Sequence, residues 1–293
     1  MDITHLDTGD GDDLRTQLGA LFSDPPMLDP DADPAPVLDT GGVPGDWLSV
    51  RGQSAADGVT VYLHGGGFAH SNRLWERVMA YRLAQATARP AFRVDYRLAP
   101  AHPFPAAIED AVTVYRALLD QGVPAEAVMF AGESAGATLV LSTLLVLKEN
   151  GDPQPGHALA VSPVTDFSDR SAAATADGSS DTIRPGTMAA VGSTYLGGAR
   201  PDEAPQSPAY GDLGGLAPLT LAVGTDEVLL ADVRRFGELA AEAGVRVSLD
   251  LYRDMPHAFN AAVLYPPERH LSVATTFLAR VGRLSDPAGR KSR

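Results

Sequence analysis

One long apolar run in the sequence is broken at its centre by a motif of small residues. Residues 127–147 are almost entirely apolar, but Gly-Glu-Ser-Ala-Gly occupies positions 132–136. On length alone the run could span a membrane, which takes about 20 apolar residues. Glu133 argues against a span, because a carboxylate at the centre of a bilayer costs about 2.5–3.5 kcal/mol on insertion scales. The run is therefore interpreted as a short buried strand followed by a helix.

The motif between these two elements is typical of a sharp turn that presents a serine. We predict a strand over 127–131 and a helix from Ala135 onward. Gly132 and Gly136 leave room for a turn too tight for larger side chains. In such a nucleophile elbow the serine, here Ser134, stands above the C-terminal edge of the sheet. The flanking strand and helix make this signal more specific than the five residues alone.

Predicted strands and helices alternate through most of the chain. Strands are predicted at 91–96, 127–131, 158–161, 219–223 and 245–252, and helices at 75–86, 105–119, from 135, 234–242 and 267–281. Segments 47–50 and 59–63 are predicted to form an antiparallel pair that precedes them. Strands joined by crossover helices form a parallel sheet with both faces covered. The fold class is therefore α/β, with a mostly parallel central sheet and helices on both faces.

Two segments do not follow this alternation. Residues 166–206 are rich in Ala, Ser, Asp, Gly and Pro, and 187–195 is the clearest helix predicted among them. Residues 12–22 have a helical pattern, and a Pro/Asp-rich stretch follows that we expect to be irregular or mobile. The apolar side of the first helix consists of Leu14, Leu18, Leu21 and Phe22.

Charge and composition narrow the functional classes. The formal net charge of −14 disfavours nucleic acids and anionic membranes as partners, because both are negatively charged and bind basic patches. The absence of cysteine excludes disulfides, thiol catalysis and cysteine-ligated metals. The acidic start of the sequence lacks the apolar region of a secretory signal, so we expect a soluble, cytoplasmic protein.

Catalysis by Ser134 would require a base that removes the hydroxyl proton during attack. Among the seven histidines, His257 follows a predicted strand and a Pro-containing loop, which brings it to the same sheet edge as the elbow. His270 falls within a helical pattern and is expected on the surface. We therefore predict that His257 is the base.

The base in turn needs a carboxylate that fixes its tautomer and stabilises the imidazolium. Asp226 directly follows the predicted strand 219–223 and is the predicted acid. The rival carboxylates nearby are Glu227, Asp232 and Asp254. The order Ser134, Asp226, His257 is the one expected of a hydrolase built on a nucleophile elbow.

A third requirement is a set of donors for the negative charge that develops on the attacked carbonyl. The segment Tyr-Leu-His-Gly-Gly-Gly-Phe at 62–68 ends a predicted strand in three glycines. Such a loop can turn its backbone N–H groups toward a ligand without obstruction, although it could also be only a flexible turn. With the elbow present, we expect it to supply two donors and the N–H of Ala135 to supply a third.

Five motifs together resemble the bacterial hormone-sensitive-lipase-like esterases, which are α/β-hydrolases with a helical cap. The motifs are HGGG at 64–67, DYRLAP at 95–100, GESAG at 132–136, GTDEVLLAD at 224–232 and HAF at 257–259. They occur in the family's order, and the resemblance covers residues 40 to 283. DEVLLAD is particularly similar to the branch that contains monoterpene ε-lactone hydrolases and related short-chain esterases.

The resemblance implies roles for individual residues. It makes Ser134 the nucleophile, Asp226 the acid and His257 the base, with N–H groups for the oxyanion from Gly66, Gly67 and Ala135. It also implies that the oxyanion loop is braced by His64, Asp95, Tyr96 and Arg97. The elbow departs from the common Gly-Asp-Ser-Ala-Gly-Gly at Glu133 and Ala137. Both departures should alter hydrogen bonding and packing around the site without removing a catalytic group.

The resemblance further implies a domain organisation. Residues 41–165 and 207–283 would form the hydrolase core, and 1–40 and 166–206 the cap, with 284–293 a disordered tail. Residues 1–40 could instead be a disordered tail. If they are cap, the residues expected to line the substrate pocket are Phe22, Met188 and Tyr195.

The expected activity is hydrolysis of carboxylic esters through an acyl-enzyme, with no metal or cofactor, and the resemblance implies short- to medium-chain substrates. A lactone hydrolase and a biosynthetic acyl-transfer or cyclisation enzyme would use the same machinery. A ligand-binding protein on the hydrolase fold is a further alternative, less favoured because all three triad positions are filled. A homodimer is expected, because strand 245–252 comes last in the sheet order that the resemblance implies and would leave its outer edge unpaired.

Overall fold

One mixed sheet of nine strands runs through the part of the chain that the structure describes. The structure is a computed structural model, and it describes residues 1–21, 23, 32–34 and 38–284. The strands are β1 (Asp2–Leu6), β2 (Ala32–Pro34), β3 (Gly45–Val50), β4 (Val59–Leu63), β5 (Ala91–Val94), β6 (Val128–Glu133), β7 (His157–Val161), β8 (Leu219–Gly224) and β9 (Val247–Tyr252). Their order is β1-β9-β8-β7-β6-β4-β5-β3-β2. The pairs β2–β3 and β3–β5 are antiparallel, and the other neighbouring strands are parallel. The predicted fold class is confirmed.

Helices cover both faces of this sheet. Within the described residues they are α1 (Gly11–Ala20), α2 (Arg73–Thr87), α3 (Ala106–Asp120), α4 (Ala135–Asn150), α5 (Ala172–Thr175), α6 (Thr187–Leu196), α7 (Leu230–Glu242) and α8 (Ser272–Leu284). One apolar core lies between the sheet and α3, α4 and α7, and a second lies under α1, α2 and α8. Adjacent residues of β4 illustrate the division, because Val61 and Leu63 enter the first core and Tyr62 the second.

The apolar run at 127–147 forms β6 and most of α4. Helix α4 is buried on nearly every side, because it packs on the sheet, on α3 and on the turn at Pro208–Tyr210. This environment explains why its apolar residues show no helical stripe. Within the described ranges, no helix is long and apolar enough to cross a membrane.

Two predictions about the sheet are wrong. Strand β3 pairs with β5 rather than with β4, so the antiparallel pair predicted from segments 47–50 and 59–63 does not form. Strand β9 is not at the edge, because β1 pairs with it in parallel, with Asp2 beside Ser248 and Leu6 beside Tyr252. Both edges of β9 are therefore paired, and β9 offers no free edge at which a homodimer could form. Residues 2–6 also belong to the sheet and not to a cap.

The segment 166–206 carries the helices α5 and α6, as predicted. Helix α1 does not pack chiefly on this segment. Its Leu14 is fully buried in the core that contains Phe259 and Phe277, beside the short helical turn Phe259–Leu264. The candidate Phe22, most of the Pro/Asp-rich stretch and residues 285–293 lie outside the described residues.

Candidate active site

The elbow is built by two glycines that exclude side chains from the turn. A Cβ atom at Gly136 would overlap the carbonyl oxygens of Leu63 and His64, and one at Gly132 would lie 2.5 Å from the carbonyl oxygen of Gly136. Between them Ser134 has φ 53° and ψ −121°, a backbone conformation that is unfavourable for a serine. Strain of this kind is concentrated at functional sites and is held there by the surrounding structure.

The side chains of Ser134 and His257 are in direct contact. The Oγ atom of Ser134 lies 2.9 Å from Nε2 of His257. His257 lies in the loop after β9 and is only 9% exposed. The elbow is at the C-terminal end of β6, so both side chains meet at the same sheet edge, as predicted. This is the contact that a general base needs to activate a serine.

The carboxylate beside His257 belongs to Glu227 and not to Asp226. Oε2 of Glu227 lies 2.9 Å from Nδ1 of His257. Asp226 instead accepts a hydrogen bond from Arg15 on α1, at 2.5 Å. The prediction of Asp226 as the partner of His257 is therefore wrong by one position, and the rival Glu227 takes its place.

The turn after β8 explains this choice. The other oxygen of Glu227 accepts hydrogen bonds from the N–H of Gly224 at 2.6 Å and from Ser162 Oγ at 2.7 Å. Ser162 follows β7 and has φ 54°, a second strained residue at this edge. Glu227 is 5% exposed, so its charge faces little water and is satisfied by these donors. Nothing in the local sequence around Ser162 marks it as part of the site, so it is not among the predicted residues.

The surroundings of His257 set its basicity. Burial lowers the pKa of the imidazole, but the hydrogen bond and charge of Glu227 act against burial, together with the charges of Asp181 and Glu133. The resulting pKa of His257 lies above the ordinary value of a histidine. A higher pKa makes the neutral ring a better acceptor for the serine proton.

The glycine loop after β4 presents free amides near Ser134. Gly66 has φ 111° and Gly67 has φ 60°, both in the region that favours glycine. In the described part of the chain, no protein acceptor takes the N–H groups of Gly66, Gly67 or Ala135. The loop is closed by the N–H groups of Ala69 and His70, which donate to the carbonyl of Gly66. Three amides are thus available for an oxyanion, at the predicted positions.

The implied braces of this loop are only partly found in contact with it. The hydroxyl of Tyr96 donates to the carbonyl of His64 at 2.7 Å, and the two rings stack with centroids 4.2 Å apart. Arg97 instead binds Asp110 on α3, with Nε 2.9 Å from Oδ1. The Oδ1 atom of Asp95 lies 3.5 Å from Arg93. Tyr96 and His64 therefore support the loop directly, whereas Arg97 and Asp95 contact other residues.

Glu133 also holds the glycine loop. Its Oε1 accepts hydrogen bonds from the hydroxyl of Tyr62 at 2.6 Å and from the N–H of Gly65 at 3.0 Å. Burial raises the pKa of Glu133 to about 7, although these two hydrogen bonds favour the charged form. The carboxyl that follows Gly132 in the elbow motif therefore fixes the first residue of the glycine loop.

A cavity of about 750 Å³ opens above Ser134. Met188 lines it, as predicted. Tyr195 does not, because it is 1% exposed and stacks on Phe68 with the ring centroids 3.7 Å apart. Other apolar residues of the lining include Leu18, Leu21, Trp75, Met79, Ile183, Val191 and Leu264. Among the described residues, no group of three His, Cys, Asp or Glu side chains could hold a metal ion.

Known proteins are similar to this chain in sequence and in architecture. A family model described as the alpha/beta hydrolase fold matches residues 60–261. An acetyl-hydrolase from Streptomyces hygroscopicus is 36% identical over 256 residues, which cover 84% of this chain and 82% of the relative. An esterase from Acinetobacter venetianus is 32% identical over 227 residues, covering 77% and 75%.

Solved structures give the same result. The crystal structure of an esterase from the bacterial hormone-sensitive lipase family matches with a TM-score of 0.82 and 35% identity, covering 94% of this chain and 90% of that one. The chain belongs to the α/β-hydrolase fold family and, within it, to the bacterial hormone-sensitive-lipase-like esterases.

Proposed function

We propose that this protein is a serine carboxylesterase with Ser134 as nucleophile, His257 as base and Glu227 as acid. The observation that carries the proposal is the chain of two 2.9 Å contacts from Ser134 Oγ through the imidazole to Glu227. This series of contacts lies beside a cavity whose wall also contains three free backbone amides. An activated serine beside such donors is suited to acyl transfer.

The reaction proceeds in two steps. Ser134 Oγ attacks the ester carbonyl carbon while His257 Nε2 takes the hydroxyl proton, and the carbonyl oxygen becomes an oxyanion. The N–H groups of Gly66, Gly67 and Ala135 stabilise this oxyanion, and Glu227 stabilises the imidazolium. His257 then passes the proton to the leaving alcohol. Water, activated by the same imidazole, releases the acid from the acyl-enzyme.

The substrate is expected to be a small carboxylic ester of short to medium acyl length. A cavity of about 750 Å³ holds a molecule of modest size, and its lining is predominantly apolar. One relative is named an acetyl-hydrolase, which supports short acyl groups, and another is named an esterase. A cyclic ester fits the same chemistry, so a lactone hydrolase is the second candidate, and acyl transfer or cyclisation a third.

A cap above the cavity is part of the proposal. Leu18 of α1 and Leu21, the residue that follows this helix, line the cavity together with Ile183 and Met188 of the 166–206 segment. Both segments therefore contribute apolar surface where a substrate would bind. We expect them to select among acyl and alcohol groups, while the sheet edge supplies the catalytic groups.

The decisive experiment compares the wild type with Ser134→Ala on p-nitrophenyl esters of increasing acyl length and on a lactone panel. We expect preference for short acyl chains and a loss of about 10⁴–10⁶ in kcat in the variant. Circular dichroism and thermal unfolding of both proteins control for folding. Undiminished hydrolysis by folded Ser134→Ala would refute the serine mechanism. Turnover of lactones above linear esters would favour the second candidate.

Labelling with a fluorophosphonate separates an enzyme from a ligand-binding protein. The probe should bond to Ser134 in the wild type and leave Ser134→Ala and His257→Asn unlabelled, because only an activated serine attacks phosphorus rapidly. A wild type that binds esters without labelling or turnover would support the binding-protein alternative.

A homodimer stays a prediction, but the strand expected to form its interface is now β1 instead of β9. The outer edge of the sheet on this side belongs to β1, and its exposed Ile3 is 43% accessible. An exposed edge strand can pair with a second copy around a two-fold axis. Light scattering from a dilute solution should give twice the monomer mass, and a monomer mass would contradict the prediction.

A further inference from the structure

Asp181 lies in the 166–206 segment but bonds to both loops that carry the triad. Its side chain is 4% exposed. Oδ1 accepts hydrogen bonds from the N–H of Thr182 at 2.6 Å and of His257 at 2.7 Å, and Oδ2 accepts one from Val228 at 2.9 Å. Val228 is the residue after Glu227, so one carboxylate connects the base and the acid.

The same segment binds the other backbone group of His257. Thr182 Oγ1 donates to the carbonyl oxygen of His257 at 3.1 Å. The backbone of His257 is therefore held at its N–H by Asp181 and at its C=O by Thr182. Its ring is held separately, at Nδ1 by Glu227 and at Nε2 by Ser134.

A second set of contacts connects the same region to α1. Arg15 donates to the carbonyl oxygen of Ser180 at 3.3 Å and to Asp226, and Ser180 Oγ donates to the carbonyl oxygen of Asp226 at 3.2 Å. The residues just before Asp181 are thus joined to the loop that carries Glu227 through Asp226.

The hydrogen bonds of Asp181 differ from those of an aspartate that bonds only to its own loop. Asp177 in the same segment is exposed and accepts from Ser179, two residues away. Asp181 instead takes two of its three donors from residues 47 and 76 positions away in sequence. Both distant donors belong to loops that position catalytic groups.

We propose that Asp181 is a positioning residue that couples the 166–206 segment to the assembly of the catalytic triad, an inference that rests on the proposed serine mechanism. The following residues Thr182, Ile183, Thr187 and Met188 line the cavity. A substrate that packs against them stabilises the conformation in which Asp181 fixes His257. Loss of that conformation releases both backbone bonds of His257 and misaligns its ring. A misplacement of about 1 Å at a catalytic group can cost about 10²-fold in rate.

The test uses Asp181→Ala, Asp181→Asn and the matched control Asp177→Asn in the full-length protein, with p-nitrophenyl acetate as substrate. Asp181→Ala should lower kcat by about 10²-fold with a smaller change in KM, because it removes all three bonds. Asp181→Asn keeps one accepting oxygen for Thr182 and His257, so it should retain more of the rate. Asp177→Asn should match the wild type within about twofold.

The charge of Asp181 allows a second measurement, the titration of His257, which would not change if Asp181 were only structural. The titratable groups that raise the pKa of His257 are Glu227, Asp181 and Glu133. Removing the charge of Asp181 should therefore shift the acidic limb of the kcat/KM profile to lower pH in Asp181→Asn. NMR titration of His257, assigned with His257→Asn, should show the same direction of shift.

The outcomes separate this inference from the proposed function. A wild type that hydrolyses no ester would refute the proposed function, while the NMR titration would still show whether Asp181 acts on His257. If the wild type is active and folded Asp181→Ala keeps its kcat and the His257 titration, the inference is wrong. Should Asp181→Ala fail to fold, Asp181→Asn and Thr182→Val decide by the same two measurements.

Discussion

The carboxylate of Glu227 lies 2.9 Å from Nδ1 of His257, on the side of the ring opposite to Ser134. It is fixed there by hydrogen bonds from Ser162 and from the backbone of Gly224, so its alignment does not depend on His257 alone. Alignment of this kind is what allows an acid to hold one tautomer of the imidazole and to stabilise its protonated form.

The first prediction compares the two adjacent carboxylates. Glu227→Gln should lower kcat by about 10²–10⁴, because an amide cannot stabilise the imidazolium and favours the wrong tautomer. Asp226→Asn should change kcat by less than about tenfold, since Asp226 contacts Arg15 rather than His257. Steady-state kinetics of both variants on one short ester provides the measurement. The reverse order of effects would restore Asp226 as the acid.

The second prediction concerns the oxyanion loop. A Cβ atom at Gly66 would overlap the carbonyl oxygen of His70, and the residue has φ 111°. Gly66→Ala should therefore displace the loop and lower kcat by about 10²–10³, with a smaller change in KM. Gly42→Ala is the control, because Gly42 also has positive φ but a Cβ there meets nothing within 4 Å. An effect confined to KM would show that the loop only shapes the pocket.

The third prediction follows from the pKa of Glu133, which burial raises from 4.5 to about 7. At pH values between 4.5 and about 7, Glu133 is protonated in the folded state but ionised in the unfolded chain. The free energy of unfolding should therefore fall as pH rises from about 4.5 to 7, by about 3 kcal/mol from this group. Glu133→Gln keeps an oxygen for Tyr62 and Gly65 and should lack this contribution.

Urea unfolding of the wild type, Glu133→Gln and the exposed control Glu149→Gln at several pH values measures this contribution. The control should keep the wild-type dependence on pH. Parallel curves for the wild type and Glu133→Gln would show that Glu133 does not titrate in this range.

The parts of the site that were predicted correctly are the ones that depend on local backbone chemistry. Gly132, Gly136 and the glycine loop each need small residues in a fixed order, and that requirement is visible in the sequence. The acid could not be identified in the same way, because Asp226 and Glu227 are adjacent and both follow β8. The contacts of Arg15, Ser162 and Gly224 decide between them, and they come from distant parts of the chain.

The missed features of the fold have a similar cause. β3 and β4 are neighbours in sequence, which suggested a hairpin, yet β5 lies between them in the sheet. Strand β1 is short and mixes polar with apolar residues, so it carries no period-two apolar pattern. Its conformation is determined by pairing with β9 rather than by its own sequence.

The fourth prediction separates two leucines on α1. Leu14 is fully buried in the core, so Leu14→Ala should lower the free energy of unfolding by about 2–5 kcal/mol. Leu18, one turn further along the helix, lines the cavity and is only partly buried. Leu18→Ala should destabilise the protein less but raise KM for the longest esters accepted. Urea unfolding and the acyl-length series measure both, and equal destabilisation without any change in substrate preference would contradict the assignment.

The pairing of Asp2 with Ser248 has a consequence for how the protein is made. During synthesis β1 leaves the ribosome long before β9 is made. The backbone groups of β1 that pair with β9 therefore lack this partner until almost the whole hydrolase core has been synthesised. Contacts between such distant segments form late, because a very long loop must close before they can form. We therefore expect β9 to pair with β8 before β1 covers its other edge, and during that interval the uncovered edge can pair with another chain.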